Sequence, residues 1–377
     1  MSNWAQFLRI GRPRSADATR GTMSCKHLYG RTIDGESTAA RRVSAESRKS
    51  SWRRLQPAAL AFALMAALAG GVPDAAAQTS VWDNGNGNNR WGTRNNWDPN
   101  TTPNSLTRDV QFNATETDAV VNDIQLRGNY SVRSLTYNAV DDTFSILNGT
   151  GSRTLTLGTG GITRTSGSSG TQTLAMTTLA LTANTTMDIN GSGSLTISSA
   201  ITGATRTITK NGTGELVLSG NNTFSGGTTL NAGTLTLSSA NALGSGSLTL
   251  AGGTLRLNTA SVSLGTLSVT GNSTIDFAGN NTLNLTNFSI SAGVTLTILN
   301  WTSGSDFLYA TNWTGATKDV TGSAPMNQVS FTGFSANDTA WRNVDSQIMP
   351  VPEPSTYGAL LLGALGAFAW WRRRRAS

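Results

Sequence analysis

The stretch from Asn211 to Leu237 reads NGTGELVLSGNNTFSGGTTLNAGTLTL and decides the fold of this chain. Its segments Glu215 to Leu218 and Thr234 to Leu237 are apolar at every second position, which is the side-chain period of a β-strand. Clusters of Gly, Asn and Ser separate these segments, as turns require. The stretch therefore predicts short strands that are joined by tight turns.

The same alternation returns about every twenty residues along the middle of the chain. Spacings of 21, 19, 20, 20 and 21 residues separate the first apolar positions of six strands: Leu195, Leu216, Leu235, Leu255, Ile275 and Leu296. Spacings of 18 and 19 residues separate a second series, Leu230, Leu248 and Leu267. Such a period, with two or three short strands in each repeat, is typical of a solenoid.

We therefore predict an all-β fold, a right-handed parallel β-helix (β-solenoid) with coils of about 20 residues over residues 150–300. Inward Leu, Ile and Val would fill the core, and outward Thr, Ser and Asn would meet water. Thr suits the outward positions because it is both β-branched and polar. Stacked Asn side chains on successive coils are expected to form hydrogen-bonded ladders.

Residues 211–237 resemble the autotransporter-associated β-strand repeat, as one clear copy with weaker copies on both sides. The residues that carry the resemblance are Gly212, Gly214, Leu216, Leu218, Asn221, Asn222, Thr223, Gly226, Gly227, Thr228, Leu230, Gly233 and Leu235. The resemblance implies the β-solenoid fold, and we do not extend it to the autotransporter secretion route.

The chain has a net charge of +7, and its excess of positive charge lies at the two ends. Residues 1–77 carry twelve Lys and Arg against five Asp and Glu, a balance of +7, and residues 372–375 add +4. Residues 78–371 carry twelve against sixteen, a balance of −4. A mildly acidic body argues against a basic groove for nucleic acid, so we predict no nucleic-acid partner.

The N-terminal region is typical of a secretory signal. An apolar run over residues 57–71 follows basic residues, and Ala75 and Ala77 fit the A-x-A site of signal peptidase. We predict a signal peptide over residues 52–77, with Gln78 as the new N-terminus. Residues 1–51 are polar and without pattern, and we interpret them as a disordered extension or the product of a mis-assigned start codon.

The C-terminal region contains an apolar run of fifteen residues, Tyr357 to Trp371. As a helix this run would be about 22 Å long, shorter than the roughly 30 Å hydrocarbon core of a bilayer. Four arginines follow and should stay cytoplasmic as a stop-transfer signal: Arg372, Arg373, Arg374 and Arg375. We predict a short C-terminal transmembrane helix, which is either a temporary tether or a permanent anchor.

Residues 350–377 resemble the PEP-CTERM sorting signal of Gram-negative bacteria. The Pro-Glu-Pro motif, the apolar helix and the arginine cluster all occur in that order, and the motif comprises Val351, Pro352, Glu353 and Pro354. The resemblance implies processing by an exosortase near this motif. It also implies a tethered intermediate in the inner membrane, followed by display at the cell surface or in the exopolysaccharide matrix.

Tryptophans flank the predicted repeats on both sides. Residues 78–149 contain a group among Asn and Gly, namely Trp82, Trp91 and Trp97. We interpret this part as an N-terminal cap with the first β segments, because an open β-helix end needs covering. The alternative is an aromatic platform for sugar rings. Residues 301–349 are expected to form the C-terminal cap, with packing by Trp301, Trp313 and Trp341.

The residue types of many catalytic and metal sites are missing from the predicted mature body. Cys25 and His27 are the only cysteine and histidine, and both precede the expected cleavage site. Asp141 and Asp142 are the only acidic doublet of that body, which we interpret as a turn. Single acidic residues lie beside strands at Asp188, Glu215 and Asp276. We predict no catalytic residues, no metal site and no cofactor.

These observations favour a non-enzymatic structural or adhesin-like protein of the cell surface or matrix. Its expected partners are signal peptidase and exosortase during processing, the membrane through the C-terminal helix, and exopolysaccharide. The alternative is a carbohydrate-binding or carbohydrate-cleaving β-helix. Cleavage would require three or more carboxylates from successive coils to meet in one groove.

Overall fold

A computed structural model describes residues 77–113, 123–351 and 374–375 of the chain. These residues belong to one compact unit that begins at Gly71. The predicted extension over residues 1–51, the apolar part of the signal peptide and the apolar C-terminal run all lie outside the described residues.

Two sheets of short strands form the fold, and the strands are numbered in chain order through both. The larger sheet has 16 strands: β1 (Gln78–Trp82), β2 (Trp97–Asp98), β3 (Ser105–Asn113), β5 (Tyr130–Asn138), β7 (Thr154–Arg164), β9 (Thr178–Leu181), β10 (Thr185–Ile189), β12 (Ala200–Thr202), β13 (Ile208–Asn211), β15 (Thr228–Leu230), β17 (Leu248–Leu250), β19 (Ser261–Val269), β21 (Thr282–Ile290), β23 (Phe307–Trp313), β25 (Thr339–Trp341) and β26 (Gln347–Pro350). The smaller sheet has 10 strands: β4 (Ile124–Leu126), β6 (Phe144–Asn148), β8 (Gln172–Ala175), β11 (Ser194–Ile197), β14 (Glu215–Leu218), β16 (Thr234–Leu237), β18 (Thr254–Leu257), β20 (Ser273–Phe277), β22 (Leu296–Leu299) and β24 (Val329–Phe331). Within residues 77–113 and 123–351, helix is limited to three 3₁₀ turns: Arg94–Asn96, Met326–Gln328 and Ala336–Asp338.

The strands stack as the coils of a β-solenoid with about nine turns, which confirms the predicted all-β architecture. Each strand of the smaller sheet pairs in parallel with the strand one coil away, from β4 through β24. Parallel pairing also joins β1, β3, β5 and β7, so it is not confined to residues 150–300. The right-handed sense of the coil stays a prediction, and it follows the usual hand of parallel crossover connections.

The register aligns most of the apolar positions that define the period. Leu195, Leu216, Leu235, Leu255 and Ile275 are aligned on successive strands. Leu296 departs from this column, because Ile275 pairs with Ile298 and Leu296 pairs with Ser273. In the second series Leu248 pairs with Leu267, but Leu230 pairs with Leu250. Both slips equal two residues, so every side chain stays on its predicted face.

Alternation along each strand separates core from surface. In β14 the two leucines are buried while Glu215 and Val217 are partly exposed, and β11 and β18 show the same pattern. Each fully buried Leu or Ile contributes roughly 1.5–3 kcal/mol relative to an exposed one. A coil buries its apolar residues only against neighbouring coils, so stability accumulates along the stack.

The segment between β14 and β15 crosses one side of the solenoid without a strand, and Asn222 anchors it. Asn222 is 4% exposed. Its Oδ1 accepts a hydrogen bond from the Ile201 amide of the preceding coil (2.7 Å), and its Nδ2 donates to the Ala242 carbonyl of the following coil (2.6 Å). The neighbouring Phe224 fills the core beneath the loop and is 0% exposed. The sequence Asn-Asn-Thr-Phe therefore supplies here the contacts between coils that a strand supplies elsewhere.

The expected asparagine ladders are present as pairs on the surface. Asn231 donates through Nδ2 to Oδ1 of Asn211 (2.7 Å), and Asn241 donates in the same way to Asn221 (2.7 Å). Both pairs join residues that lie twenty positions apart, which is one coil. The ladders add side-chain hydrogen bonds to the backbone bonds between those coils.

The tryptophans near the N-terminal end form a buried cluster. Trp82, Trp91 and Trp97 are each 0% exposed. The ring centroids of Trp91 and Trp97 lie 4.8 Å apart in an edge-to-face contact, and Trp97 Nε1 donates to the Trp91 carbonyl (2.7 Å). A buried ring offers no face to a sugar, so the structure does not support the alternative of an aromatic platform at these residues.

Aromatic packing also closes the C-terminal end. Trp301 lies edge-on to Phe277 and Phe331, with centroid distances of 5.1 and 4.9 Å. Trp341 packs against Trp313 and donates through Nε1 to the Ala310 carbonyl (2.9 Å). Here β26 runs antiparallel to β23 and β25, so the parallel ladder ends.

No helix among the described residues is long and apolar enough to cross a membrane. The predicted transmembrane helix over residues 357–371 lies outside the part of the chain that the structure describes.

Candidate functional site

The first and last described strands lie next to the two predicted processing sites. Gln78 is the first residue of β1. At the other end, β26 finishes at Pro350, and the Val351 amide donates to the Asp338 carbonyl (2.7 Å). The expected mature N-terminus therefore lies in the first described strand, and the first residue of the sorting motif directly follows the last one.

Most of the predicted processing residues lie outside the described part of the chain: Ala75, Pro352, Glu353, Pro354, Arg372 and Arg373. Ala77 is half-buried beside Gln78, and Arg374 and Arg375 are exposed. The roles assigned to all of these residues stay predictions.

An open groove of about 470 Å³ lies at the corner between the smaller sheet and the start of β21 and β23. Its charged residues are Arg256 of β18 and Asp276 of β20, and the loops after β20 and β22 complete the walls. Arg256 Nε donates to Asp276 Oδ2 (3.0 Å), and its Nη1 lies 3.8 Å from Glu215 Oε1. The guanidinium is thus placed between two carboxylates from different coils.

Glu215 and Asp276 are single acidic residues in the sequence, and the structure joins both to Arg256. The twenty-residue period could have predicted the Arg256–Asp276 contact, because these two residues lie twenty positions apart and are aligned on neighbouring strands. The same spacing that aligned the apolar columns also aligned these outward side chains.

The other acidic residues do not assemble into a larger site. Asp141 accepts from the Ser169 hydroxyl (2.8 Å) in a segment without regular structure, and the predicted turn there stays a prediction. Within the described residues, no group of three or more His, Cys, Asp or Glu side chains comes together. The alternative of a carbohydrate-cleaving β-helix therefore gains no support from this part of the chain.

Two cations that point into the core were missed by sequence reasoning. Arg164 is 0% exposed and donates to Gln172 Oε1 (2.9 Å) and to the Asn190 carbonyl (2.6 Å). Two further bonds reach the carbonyls of Gly170 and Gly193. Burial lowers the pKa of Arg164, an effect that the negative charge of Asp141 opposes. The side chain ties together turns at one corner of successive coils.

Lys210 also joins turns of successive coils, at the same corner but further along the solenoid. Its Nζ donates to the carbonyls of Asn211 (2.7 Å), Gly212 (2.8 Å) and Ala232 (3.2 Å). Met187 precedes it in the same column and Leu230 follows it. Burial lowers the pKa of Lys210 to about 8, against the opposing charge of Asp188.

We expect this shift to make stability depend on pH through Lys210. The folded-state pKa lies below the unfolded value of about 10.4, so the unfolded chain binds more protons between these values. The free energy of unfolding should then rise from about pH 8 to about pH 10, and Lys210→Met should remove that contribution. The free energy of unfolding of the wild type should rise relative to that of Lys210→Met by roughly 1–3 kcal/mol between about pH 8 and about pH 10, a range that allows for solvent screening.

Urea unfolding followed by tryptophan fluorescence at about pH 7 and about pH 10 would measure this difference. Leu230→Met is the matched control, because it changes the next residue of the column without removing a titrating group. An equal pH response of wild type and Lys210→Met would contradict the prediction.

Two family models match parts of the chain. The Passenger-associated-transport-repeat matches residues 208–237 and 232–257, which include the Asn222 loop and Arg256. The PEP-CTERM protein-sorting motif matches residues 350–375. These matches confirm both resemblances stated from the sequence. No curated protein and no solved structure shows a significant match.

Fold and matches together define a class: a β-solenoid with passenger-type repeats and a C-terminal sorting signal. The PEP-CTERM motif is the recognition signal for exosortase processing, so it implies export through the exosortase system.

Proposed function

We propose that this chain is a non-enzymatic structural or adhesin-like protein of the cell surface or exopolysaccharide matrix. The observation that supports the proposal is the match of residues 350–375 to the sorting motif, next to a β-solenoid with passenger-type repeats. Processing near Pro354 would leave β26, which ends at Pro350, in the mature chain. Signal peptidase acts first in this proposal, the inner membrane holds the intermediate through the tail, and exosortase then processes it.

The outward surface of the smaller sheet supports a role in many weak contacts. Thr234, Thr254, Thr274 and Thr297 lie in register on four successive strands and are partly exposed. A regular row of hydroxyls offers similar contacts to a repeating partner such as a polysaccharide. The strength of attachment then depends on how many copies are displayed together.

The first measurement is mass-spectrometric mapping of both termini, on protein recovered from the membrane, surface and medium fractions of the producing cells. We expect an N-terminus at Gln78, a C-terminus near Pro354, and no arginine tail on the surface and released forms. Replacing Pro352, Glu353 and Pro354 by alanine should keep nearly all of the protein in the membrane fraction with its tail intact. Thr356→Ala is the matched control and should be processed normally.

Two results would contradict the proposal. If wild-type protein retained Arg372 to Arg375 and occurred only in the membrane fraction, the tail would be a permanent anchor. If the purified protein cleaved a glycan, the non-enzymatic reading would be wrong.

A further inference from the structure

The groove beside Arg256 has a fixed framework of hydrogen bonds. Asp276 is held from two sides, by Arg256 Nε (3.0 Å) and by Asn300 Nδ2 (2.6 Å). Asp306 is buried and accepts from the amides of Thr302 (2.7 Å) and Asn281 (2.9 Å), which joins the loops after β22 and β20. A ligand would therefore meet walls that are already ordered, which lowers the entropic cost of binding.

The charges of the groove compensate one another. Arg256 is 43% exposed in its side chain and lies between Asp276, 7% exposed, and Glu215, 33% exposed. An anionic ligand would meet two carboxylates beside the guanidinium, and a metal ion would meet the guanidinium between the carboxylates. The groove thus favours a neutral ligand that can donate and accept hydrogen bonds at once.

The donors and acceptors around the groove suit hydroxyl groups. The polar residues Asn280, Asn300 and Thr302 line it together with the Arg256–Asp276 pair. Asn281 is 5% exposed, and its Oδ1 has no hydrogen-bond donor among the described residues. This oxygen lies 4.0 Å from the position that a Cβ at Gly279, another lining residue, would occupy. This oxygen is enclosed by the protein, so the hydrogen bonds to a ligand would come from the lining residues Asn280, Asn300 and Thr302.

A pair of aromatic residues lies on the strand that follows the groove. Phe307 and Tyr309 point outward from β23, since Leu308 and Ala310 between and beyond them are fully buried. Their ring planes differ by 4° and their centroids lie 5.8 Å apart. The Phe307 amide donates to the Asn281 carbonyl (2.9 Å), which places the pair next to the groove. Aromatic faces attract the weakly positive C–H groups of a sugar ring.

We infer that the groove and the Phe307–Tyr309 pair form one binding site for a segment of a neutral polysaccharide. The groove would bind the hydroxyls of one sugar, and the aromatic pair would contact the ring of a neighbouring sugar. This inference rests on the proposed surface function and names the chemistry of its partner.

Gly279→Leu tests the groove directly. A Cβ at Gly279 meets only Asn281 Oδ1, at 4.0 Å, so the leucine occupies the groove without a clash with the backbone. Gly265→Leu is the matched control, because a Cβ there meets nothing within 4 Å and the residue lies in β19, away from the lining residues. Both variants should keep the melting temperature of the wild type within about 2 °C.

Binding would be measured by calorimetry with four neutral hexasaccharides: those of β-1,4-glucose, α-1,4-glucose, β-1,4-xylose and β-1,4-N-acetylglucosamine. Hexagalacturonate serves as the anionic comparison. We expect at least one neutral probe to bind wild type and Gly265→Leu equally. Affinity should fall at least about tenfold in Gly279→Leu and about two- to tenfold in Tyr309→Ala.

The inference is overturned if no neutral probe binds at millimolar concentration, if hexagalacturonate is preferred, or if Gly279→Leu binds as well as wild type. None of these results would alter the terminus mapping and fractionation that test the proposed function. A surface protein without this site would still be sorted, so the two failures are distinguishable.

Discussion

Replacing Arg164 by methionine should lower the free energy of unfolding by about 3–5 kcal/mol. Methionine matches the length of the apolar stem but donates no hydrogen bonds. The carbonyls of Gly170, Asn190 and Gly193 and the Gln172 Oε1 atom would all lose the donor that they now share. These acceptors lie at one corner of two successive coils, and the bonds to Gly170 and Gln172 are buried, so water replaces the guanidinium poorly there. Urea unfolding at neutral pH, followed by tryptophan fluorescence, would give the value.

Arg127→Met is the matched control for this prediction. Arg127 is exposed at the end of β4 and makes one side-chain bond, to Gln125 Oε1 (3.2 Å). Its replacement should change stability by no more than about 0.5 kcal/mol. If both variants lost the same small amount, Arg164 would not be the tie between turns that the geometry indicates.

Asn222→Ala should cost about 2–4 kcal/mol, because the side chain satisfies two buried backbone groups on different coils. Without it, the Ile201 amide and the Ala242 carbonyl both lose their partners. Hydrogen exchange would add a local test. The Ile201 amide should exchange faster in the variant by a larger factor than the amides of β4 at the far end of the solenoid.

Asn221 gives a control one residue away. Its Oδ1 accepts from Asn241 Nδ2 on the exposed surface, so Asn221→Ala should cost less than about 1 kcal/mol. Equal losses for the two asparagines would show that burial does not separate their contributions.

The period and the alternation were enough to predict the solenoid. They do not fix which residues pair, and the two departures from the regular spacing, at Leu230 and Leu296, have one cause. A strand with apolar residues at every second position can pair in two registers that differ by two residues and bury the same face. At Leu296 and Ile298 both registers place a large apolar residue in the column, and the length of the preceding turn decides between them. Turn length depends on loop packing, which a short strand pattern does not encode.

The two inward cations could not be predicted for a different reason. Arg164 and Lys210 each lie two residues after a buried isoleucine, so strand alternation predicts that their side chains point inward. Their charge predicts the opposite, because Arg and Lys side chains usually lie at the surface. The conflict is resolved by the turns, whose carbonyls face inward and accept from the charged groups. The groove was missed because Arg256, Asp276 and Asn300 lie 20 or more positions apart in the sequence and were judged one at a time.

The reversal of strand direction at both ends of the larger sheet has a consequence for a protein displayed at high density. β2 is antiparallel to β1 and is followed by Pro99, which has no amide hydrogen, while β26 is antiparallel to β23 at the other end. The edge strands of the larger sheet are also short, with two residues in β2 and three in β25, and a short edge offers few backbone groups to a further molecule. We therefore expect the larger sheet to resist edge-to-edge pairing when the protein is concentrated.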